Sequence, residues 1–180
     1  MPSSEDFEEL YGVTQEHALN FWVANLQEAM GSERWGQVRD STGVYLASVM
    51  GHFCLEPADR VEAMSPEYRP GDGEFRQFAD LTQIAEMMLR QLTSARSPAW
   101  MESAGAHILL YAGFFRSQNR HRHNIEFFTC MGRDCYMMAA VGRREQTMRQ
   151  MAEQFGEYMF HLAELNRNLR ESRYLIRPDE

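Results

Sequence analysis

The sequence predicts an all-α fold, a single-domain bundle of about six helices. Apolar residues recur every three or four positions over most of the chain, which is the period of an amphipathic helix. No segment alternates apolar and polar residues as a half-buried strand does. Polar caps, glycines and prolines separate the helical segments by mostly short turns, as in antiparallel bundles. With 180 residues, 44% of them hydrophobic, one domain can bury a core of useful size.

Two helices are predicted in the first third of the chain. Thr14 is a suitable N-cap for a helix that ends at Gly31, and Ser32 is a suitable cap for the next one. One face of that second helix carries Trp35, Val38, Thr42, Tyr45, Leu46, Val49 and Phe53. Residues 55–73 hold three of the six prolines and are predicted to form the one long loop.

The third and fourth helices have clear start signals. Asp72 can cap the third helix, and Ser97-Pro98 places a cap and a proline at the first helical position of the fourth. The core face of the third helix carries Phe78, Leu81, Ile84, Ala85, Met88 and Leu92. The core face of the fourth carries Trp100, Ala104, Ile108, Tyr111 and Phe115.

The fifth helix is predicted from Asn124, its N-cap, to Gly142. Its apolar residues surround nearly the whole circumference, and such a helix lies either at the centre of a bundle or at an oligomer interface. A long sixth helix is predicted from Arg144 to Glu171. Its inward residues are Met148, Met151, Phe155, Met159, Leu162 and Leu169.

The predicted domain spans residues 14–172, between an acidic N-terminal arm (1–13) and a frayed tail (173–180). Residues 1–33 contain seven acidic residues and no arginine. Residues 116–149 contain seven arginines against three acidic residues, a local charge of +4. This asymmetry favours a charged partner or a second copy of the chain, although a solvated surface would also account for it.

The overall charge of −8 disfavours binding to nucleic acid or to an anionic membrane. Three cysteines, an odd number, and the lack of a signal peptide predict a cytoplasmic protein. The longest apolar stretches are too short to span a bilayer of about 30 Å, so no membrane segment is expected.

Several families of enzymes are disfavoured by missing motifs. The chain has no lysine, which excludes a Schiff-base lysine and a P-loop lysine. It also lacks the glycine-rich dinucleotide fingerprint, the nucleophile-elbow serine, the His-Glu-x-x-His zinc motif and paired Cys-x-x-Cys motifs.

Histidines give the first candidate site. His107 falls beside Tyr111 on the apolar face of the fourth helix, and His52 lies at the edge of the apolar face of the second. Two buried histidines could bind iron or haem, or act as acid and base. The competing interpretation, which we favour, is a core histidine hydrogen-bonded to a backbone carbonyl.

A basic turn gives the second candidate site. Arg116, Arg120, His121, Arg122 and His123 provide five basic groups in eight residues, which could bind a phosphate or carboxylate. The alternative is a surface turn that serves only solubility.

Glu157 and His161 form the best metal pair, since a spacing of four residues puts two ligands on one face of a helix. At about 100° per residue, however, both lie far from the apolar stripe of the sixth helix. We therefore expect them to face water or a partner, and we predict no metal.

Three short segments resemble a known family. They are Val44-Tyr45-Leu46-Ala47, Leu110-Tyr111-Ala112-Gly113-Phe114-Phe115, and Met131-Gly132-Arg133-Asp134-Cys135-Tyr136 with Ala139. Their order and spacing resemble a family of uncharacterised bacterial all-helical proteins with an aromatic Gly-Phe-Phe helix end and a Met-Gly-x-x-x-Tyr helix. The resemblance covers residues 40–165 and implies a helical fold but no activity, because none is assigned to that family.

These observations favour a non-catalytic helical module that binds another protein or itself as a homodimer, without a cofactor. The predicted contact surface comprises Met131, Arg133, Met137 and Met138 of the fifth helix together with the basic turn. The alternative is an enzyme or sensor that holds metal, haem or a small ligand between His52 and His107.

Overall fold

The computed structural model describes residues 15–54, 80–90, 97–121 and 123–171. Over these ranges the chain is helical and contains no strand, which confirms the all-α prediction. Nine α-helices occur in the described ranges, where about six were predicted for the chain. They are α1 (Gln15–Met30), α2 (Ser32–Trp35), α3 (Asp40–Cys54), α4 (Leu81–Arg90), α5 (Pro98–Ile108), α6 (Arg116–Asn119), α7 (Ile125–Ala139), α8 (Glu145–Glu153) and α9 (Phe155–Glu171).

The helices separate into two compact units, with the division between residues 69 and 70. Helices α1–α3 belong to the first unit and α4–α9 to the second. The predicted arm, long loop and tail lie outside the described residues, so the domain boundaries drawn from the sequence remain predictions.

In the first unit, a glycine ends α1 where the sequence predicts. The Gly31 amide donates to the Gln27 carbonyl at 2.9 Å, and its φ of 75° is one that glycine adopts readily. The prediction of one continuous helix from Ser32 is wrong. The chain makes the single turn α2 and starts α3 only at Asp40. Between them, the amides of Gln37 and Val38 donate hydrogen bonds to the carbonyls of Arg34 and Trp35, three residues back instead of four. Thr14 lies outside the described residues.

The core of the first unit comes from α1 and α3. Its largest fully buried side chains are Leu26, Tyr45, Leu46 and Met50. The Trp35 ring lies over Gly43, where an added Cβ would be 2.8 Å from the ring. The helix break after Trp35 therefore folds an aromatic side chain back onto α3.

The first helix that the structure describes in the second unit is α4, whose Leu81 and Ile84 are buried as predicted. The Gln83 amide donates to Oδ1 of Asp80 at 2.8 Å, so Asp80 caps the described helix. The predicted cap Asp72 lies outside the described residues. At α5 the predicted signal is confirmed: Oγ of Ser97 accepts from the Trp100 amide at 3.2 Å, and Pro98 is the first helical residue.

The helix that begins at Pro98 does not stay α-helical. Residues Leu109–Phe114 form a π segment, in which the Phe115 amide donates to the Leu110 carbonyl, five residues back, at 3.0 Å. The short helix α6 follows it. A wider turn therefore separates the buried α5 from the exposed basic residues that come after it.

Helix α7 begins as predicted, because Oδ1 of Asn124 accepts from the Phe127 amide at 3.1 Å. Its predicted end at Gly142 is wrong, since the helix stops at Ala139 and Val141 is extended. Gly142 then takes a φ of 64° and opens a 3₁₀ turn (Gly142–Arg144) that leads into α8.

The predicted long sixth helix is two helices, α8 and α9, with a break at Gln154. All six of its predicted inward residues are nonetheless buried. The break is too small to change which face points inward.

Glycines allow the helices of the second unit to approach closely. An added Cβ at Gly105 would lie 3.0 Å from the Tyr136 ring, and one at Gly113 would lie 3.1 Å from the Met159 backbone. At Gly132 the same atom would overlap the buried Phe155 ring. The buried side of α7 is thus packed closely against both α5 and the start of α9.

Candidate protein-interaction surface

Helix α7 has one buried face and one exposed face, although its sequence is apolar on both. The buried side consists of Phe128, Gly132, Cys135, Tyr136 and Ala139. On the other side is an exposed row that we call the α7 stripe, made of Phe127, Cys130, Met131, Asp134, Met137 and Met138. At about 100° per residue, every member of the stripe lies within about 60° of Asp134. The helix is therefore a peripheral one that presents an apolar face outward.

The exposure of this stripe is substantial. Phe127 is 47% exposed, Met137 44% and Met138 60%, while Cys130 is exposed and Met131 is half-buried. Val141, two residues beyond the helix end, is also exposed. Single exposed apolar residues are ordinary, but a contiguous row of them marks an interaction site more often than an ordinary surface.

One charged residue, Asp134, lies at the middle of the stripe, and its neighbour Arg133 lies beside the stripe, about 100° further round the helix. Nε of Arg133 is 3.5 Å from Oδ1 of Asp134, and both side chains are more than half exposed. An ion pair this exposed contributes about 0–1 kcal/mol to folding. Both groups therefore remain accessible to an approaching molecule.

The basic turn is held by Asn119, a residue that the sequence analysis did not single out. Its Nδ2 donates to the Tyr111 carbonyl at 2.9 Å and to the Phe115 carbonyl at 3.2 Å, which fixes α6 to the end of the π segment. Arg116, Arg120 and His121 are exposed. Nε of Arg120 donates to Nε2 of His121 at 3.1 Å.

A chain of ring contacts joins this turn to α7. The half-buried His123 ring meets the Phe128 ring edge to face at 5.6 Å, and Phe128 meets Phe127 in the same way at 5.2 Å. The turn and the α7 stripe are therefore adjacent at the N-terminal end of α7. Arg122 lies outside the described residues.

The two candidate ligand-binding histidines belong to different units, and the structure describes the side chain of His107 only. His107 is 1% exposed, and its Nδ1 is 2.9 Å from the Ser103 carbonyl, so Nδ1 carries the proton. The half-buried Tyr111 ring is 6.2 Å from the His107 ring. His52 belongs to α3 in the other unit, and its side chain lies outside the described part. The hydrogen bond from His107 to the Ser103 carbonyl is the one expected of an ordinary core histidine.

The weak metal pair, Glu157 and His161, lies on α9. Glu157 is exposed, as the helical spacing predicts, whereas His161 is half-buried with its ring 5.5 Å from that of Phe160. Among the described residues, no group of three or more His, Cys, Asp and Glu side chains could hold a metal ion.

No protein-family model matches this chain, and no curated protein or solved structure matches it either. The resemblance to bacterial all-helical proteins therefore stays a prediction. None of the helices in the described ranges is long and apolar enough to cross a membrane.

A buried ion pair is the polar feature that the sequence analysis missed. Oε1 of Glu102 accepts from Nη1 of Arg144 at 2.7 Å, with the glutamate side chain 6% exposed and the arginine 28%. The pair ties α5 to the 3₁₀ turn after α7. Between Pro98 and Phe115, Glu102 and His107 are the only acidic or basic residues. A single acidic residue in an otherwise apolar helix indicates a buried carboxylate that needs a partner, and the sequence could have been interpreted in this way.

Proposed function

We propose that this chain is a protein-binding module rather than an enzyme, and that the α7 stripe is its contact surface. The observation that carries the proposal is the row of exposed Phe and Met side chains along one helix. Each of these side chains would contribute about 1 kcal/mol or more on being covered, since full burial of such a group contributes roughly 1.5–3 kcal/mol.

The composition of the stripe supports a protein partner over a small ligand. Small-ligand sites are concave and enclose most of the ligand, whereas these side chains project from the outer face of a helix. Methionines such as Met137 and Met138 are flexible and suit contact with another protein surface. The adjacent Arg116 and Arg120 would give an acidic partner a preferred orientation.

Site-specific photo-crosslinking tests this function. A benzophenone amino acid replaces Met138 in the full chain, which is then irradiated inside the cells that produce it. A second variant carries the same group at Asn168, an exposed polar position on α9. We expect a discrete protein adduct from position 138 and none from position 168. Identical patterns from both positions, or no adduct at all, would contradict the proposal.

A further inference from the structure

The basic turn presents cationic side chains that no carboxylate of the described ranges neutralises. Arg116 and Arg120 are exposed, and neither forms an ion pair with an acidic residue in these ranges. The sequence has no acidic residue between Glu102 and Glu126. Glu102 is bound to Arg144, and Glu126 is the exposed carboxylate that follows the turn along the chain. The turn is therefore a positively charged surface open to an anionic partner.

Hydrogen bonds hold the turn in place, which favours binding. The side chain of Asn119 donates to two backbone carbonyls that precede α6. The backbone amide of Arg120 donates to the Arg116 carbonyl at 2.9 Å, and that of His123 donates to the Asn119 carbonyl at 3.0 Å. Arg116 and Arg120, four residues apart, consequently lie on one side of the turn. Groups that are fixed in advance lose less freedom on binding.

The sequence contains a matching anionic segment. Four of the five residues 5–9 are acidic, and this acidic run is the densest in the chain. The N-terminal arm that contains it has no arginine and lies outside the described residues. Fourteen residues precede Gln15, where α1 begins. A segment of that length reaches at most roughly 45–50 Å, which is enough for the acidic run to contact another molecule.

We propose that the basic turn binds the acidic run of a second copy of this chain, and that two copies exchange their arms in this way. Charge complementarity carries the proposal, since four carboxylates meet Arg116 and Arg120, with Arg122 beside them in the sequence. A guanidinium group suits this contact because it binds a carboxylate through two parallel hydrogen bonds. A reciprocal exchange makes the contact twice in one closed pair, and the first contact raises the effective concentration for the second.

The proposed contact is weak and depends on salt. Each exposed ion pair contributes little, so we expect half-dimerisation of the full chain at roughly one hundred micromolar in about 20 mM salt. In about 0.5 M salt, where the screening length is near 4 Å, the dissociation constant should rise about tenfold or more. Light scattering over a concentration series measures both values, and a monomer throughout the low-salt series would overturn the proposal.

Charge reversal in the turn should prevent the pairing. The triple variant with Arg116, Arg120 and Arg122 replaced by Glu puts like charges opposite the acidic run, and its dissociation constant should rise about tenfold or more.

A matched control replaces Arg143, Arg167 and Arg170 by Glu, three exposed residues elsewhere in the second unit. It makes the same change in net charge and should associate like the parent. Far-ultraviolet circular dichroism confirms that each variant keeps its helices. A dimer that survives reversal of the turn, or one that both triple variants weaken equally, would contradict the proposed contact.

Mixing two variants tests whether the contact joins different copies. An arm variant carries Asp6→Arg, Glu8→Arg and Glu9→Arg, and the turn variant is the triple reversal described above. Each alone sets like charges against each other and should be monomeric. In an equal mixture, the basic arm of one fits the acidic turn of the other, and the two unchanged partners also match. The mixture should therefore dimerise with a dissociation constant within about threefold of the parent value.

General attraction between the two variants is not an alternative explanation. The arm variant changes the parent charge of −8 by only six units, so both variants remain negative. A mixture that stays monomeric while the parent dimerises would overturn the exchange of arms between copies.

This inference goes beyond the proposed function, because it concerns the basic turn and leaves the α7 stripe open to a partner. The two can therefore fail separately. A parent chain that does not self-associate refutes the exchange of arms, whatever benzophenone at position 138 captures. Dimerisation that follows the charge of the turn supports the exchange even where position 138 gives no adduct and the α7 stripe is refuted as a contact surface.

Discussion

Replacing Gly132 by alanine tests whether the packing of α7 is as close as the structure shows. Gly132 is on the buried face of α7, and the Phe155 side chain that covers it is fully buried. An added Cβ would lie 2.6 Å from Cε1 of Phe155 and closer still to its Cζ, with Cγ2 of Ile108 at 3.0 Å. Real Cβ atoms do not make carbon contacts this short, so either the ring or the helix must shift.

Two opposing effects set the size of the change. Alanine is better than glycine inside a helix by about 1 kcal/mol. Overpacking a well-filled core costs about 1–3 kcal/mol, and an overlap with a ring that cannot leave belongs at the upper end of that range. We therefore expect a net loss of roughly 2 kcal/mol in the free energy of unfolding. For a chain of this length that corresponds to about 4–8 °C in Tm.

Thermal and urea unfolding, followed by circular dichroism, measure the effect against a matched control. Gly156→Ala adds the same methyl group at an exposed position on α9, where the nearest atom, Cγ2 of Thr129, would be 3.8 Å away. That variant should keep its Tm or gain stability of up to about 1 kcal/mol. An unchanged or higher Tm for Gly132→Ala would refute the packing described for α7.

A double variant identifies the clash directly. Phe155→Leu removes the ring atoms that the new methyl group would meet, at the cost of a cavity. If the overlap is the cause, Gly132→Ala should destabilise the Phe155→Leu background by at least about 1 kcal/mol less than it destabilises the parent. Equal losses in both backgrounds would place the cause elsewhere.

Three further predictions concern caps, the buried ion pair and cofactors. Ser97→Ala removes the cap of α5 and should lower the free energy of unfolding by about 1 kcal/mol in urea titrations, whereas Ser97→Asp should retain most of it. Arg144→Met removes the guanidinium from the buried Glu102 carboxylate and should lower the free energy of unfolding by about 2 kcal/mol. Glu102→Gln leaves no buried carboxylate and should lower it by less. A larger loss for Glu102→Gln than for Arg144→Met would contradict the importance of the buried charge. Freshly purified protein should be colourless and free of stoichiometric metal by elemental analysis; bound iron or a Soret band would favour the alternative in which His107 is a ligand.

Local signals were enough to predict much of the fold. The side chains of Ser97 and Asn124 accept hydrogen bonds from backbone amides in the first turn of their own helices. The identity of the cap residue was therefore enough to predict where each helix begins. The inward face of residues 148–169 was also predictable, since polar residues there separate the apolar ones into a stripe.

Features that depend on contacts between helices were not predictable. The π segment, the break at Gln154 and the early end of α7 leave no local sign that we recognised. The orientation of α7 is the clearest case, because apolar residues lie on both sides of the helix and its three charges, Glu126, Arg133 and Asp134, mark only part of the exposed side. Its buried face is the one that contains Gly132, where the Phe155 ring finds room, so shape contributes to the selection of the face. The same selection leaves Met137 and Met138 exposed, while Met131 is half-buried.

The π segment affects how distant relatives of this chain should be aligned. Such a segment arises when one residue is inserted into an α-helix, and an inserted residue turns everything after it by about 100° around the helix axis. A relative lacking one residue between positions 109 and 114 would continue as a regular helix and direct the counterparts of Arg116 and Arg120 toward a different side. The length of this short stretch, more than its composition, would then indicate whether that relative displays its cationic groups next to α7.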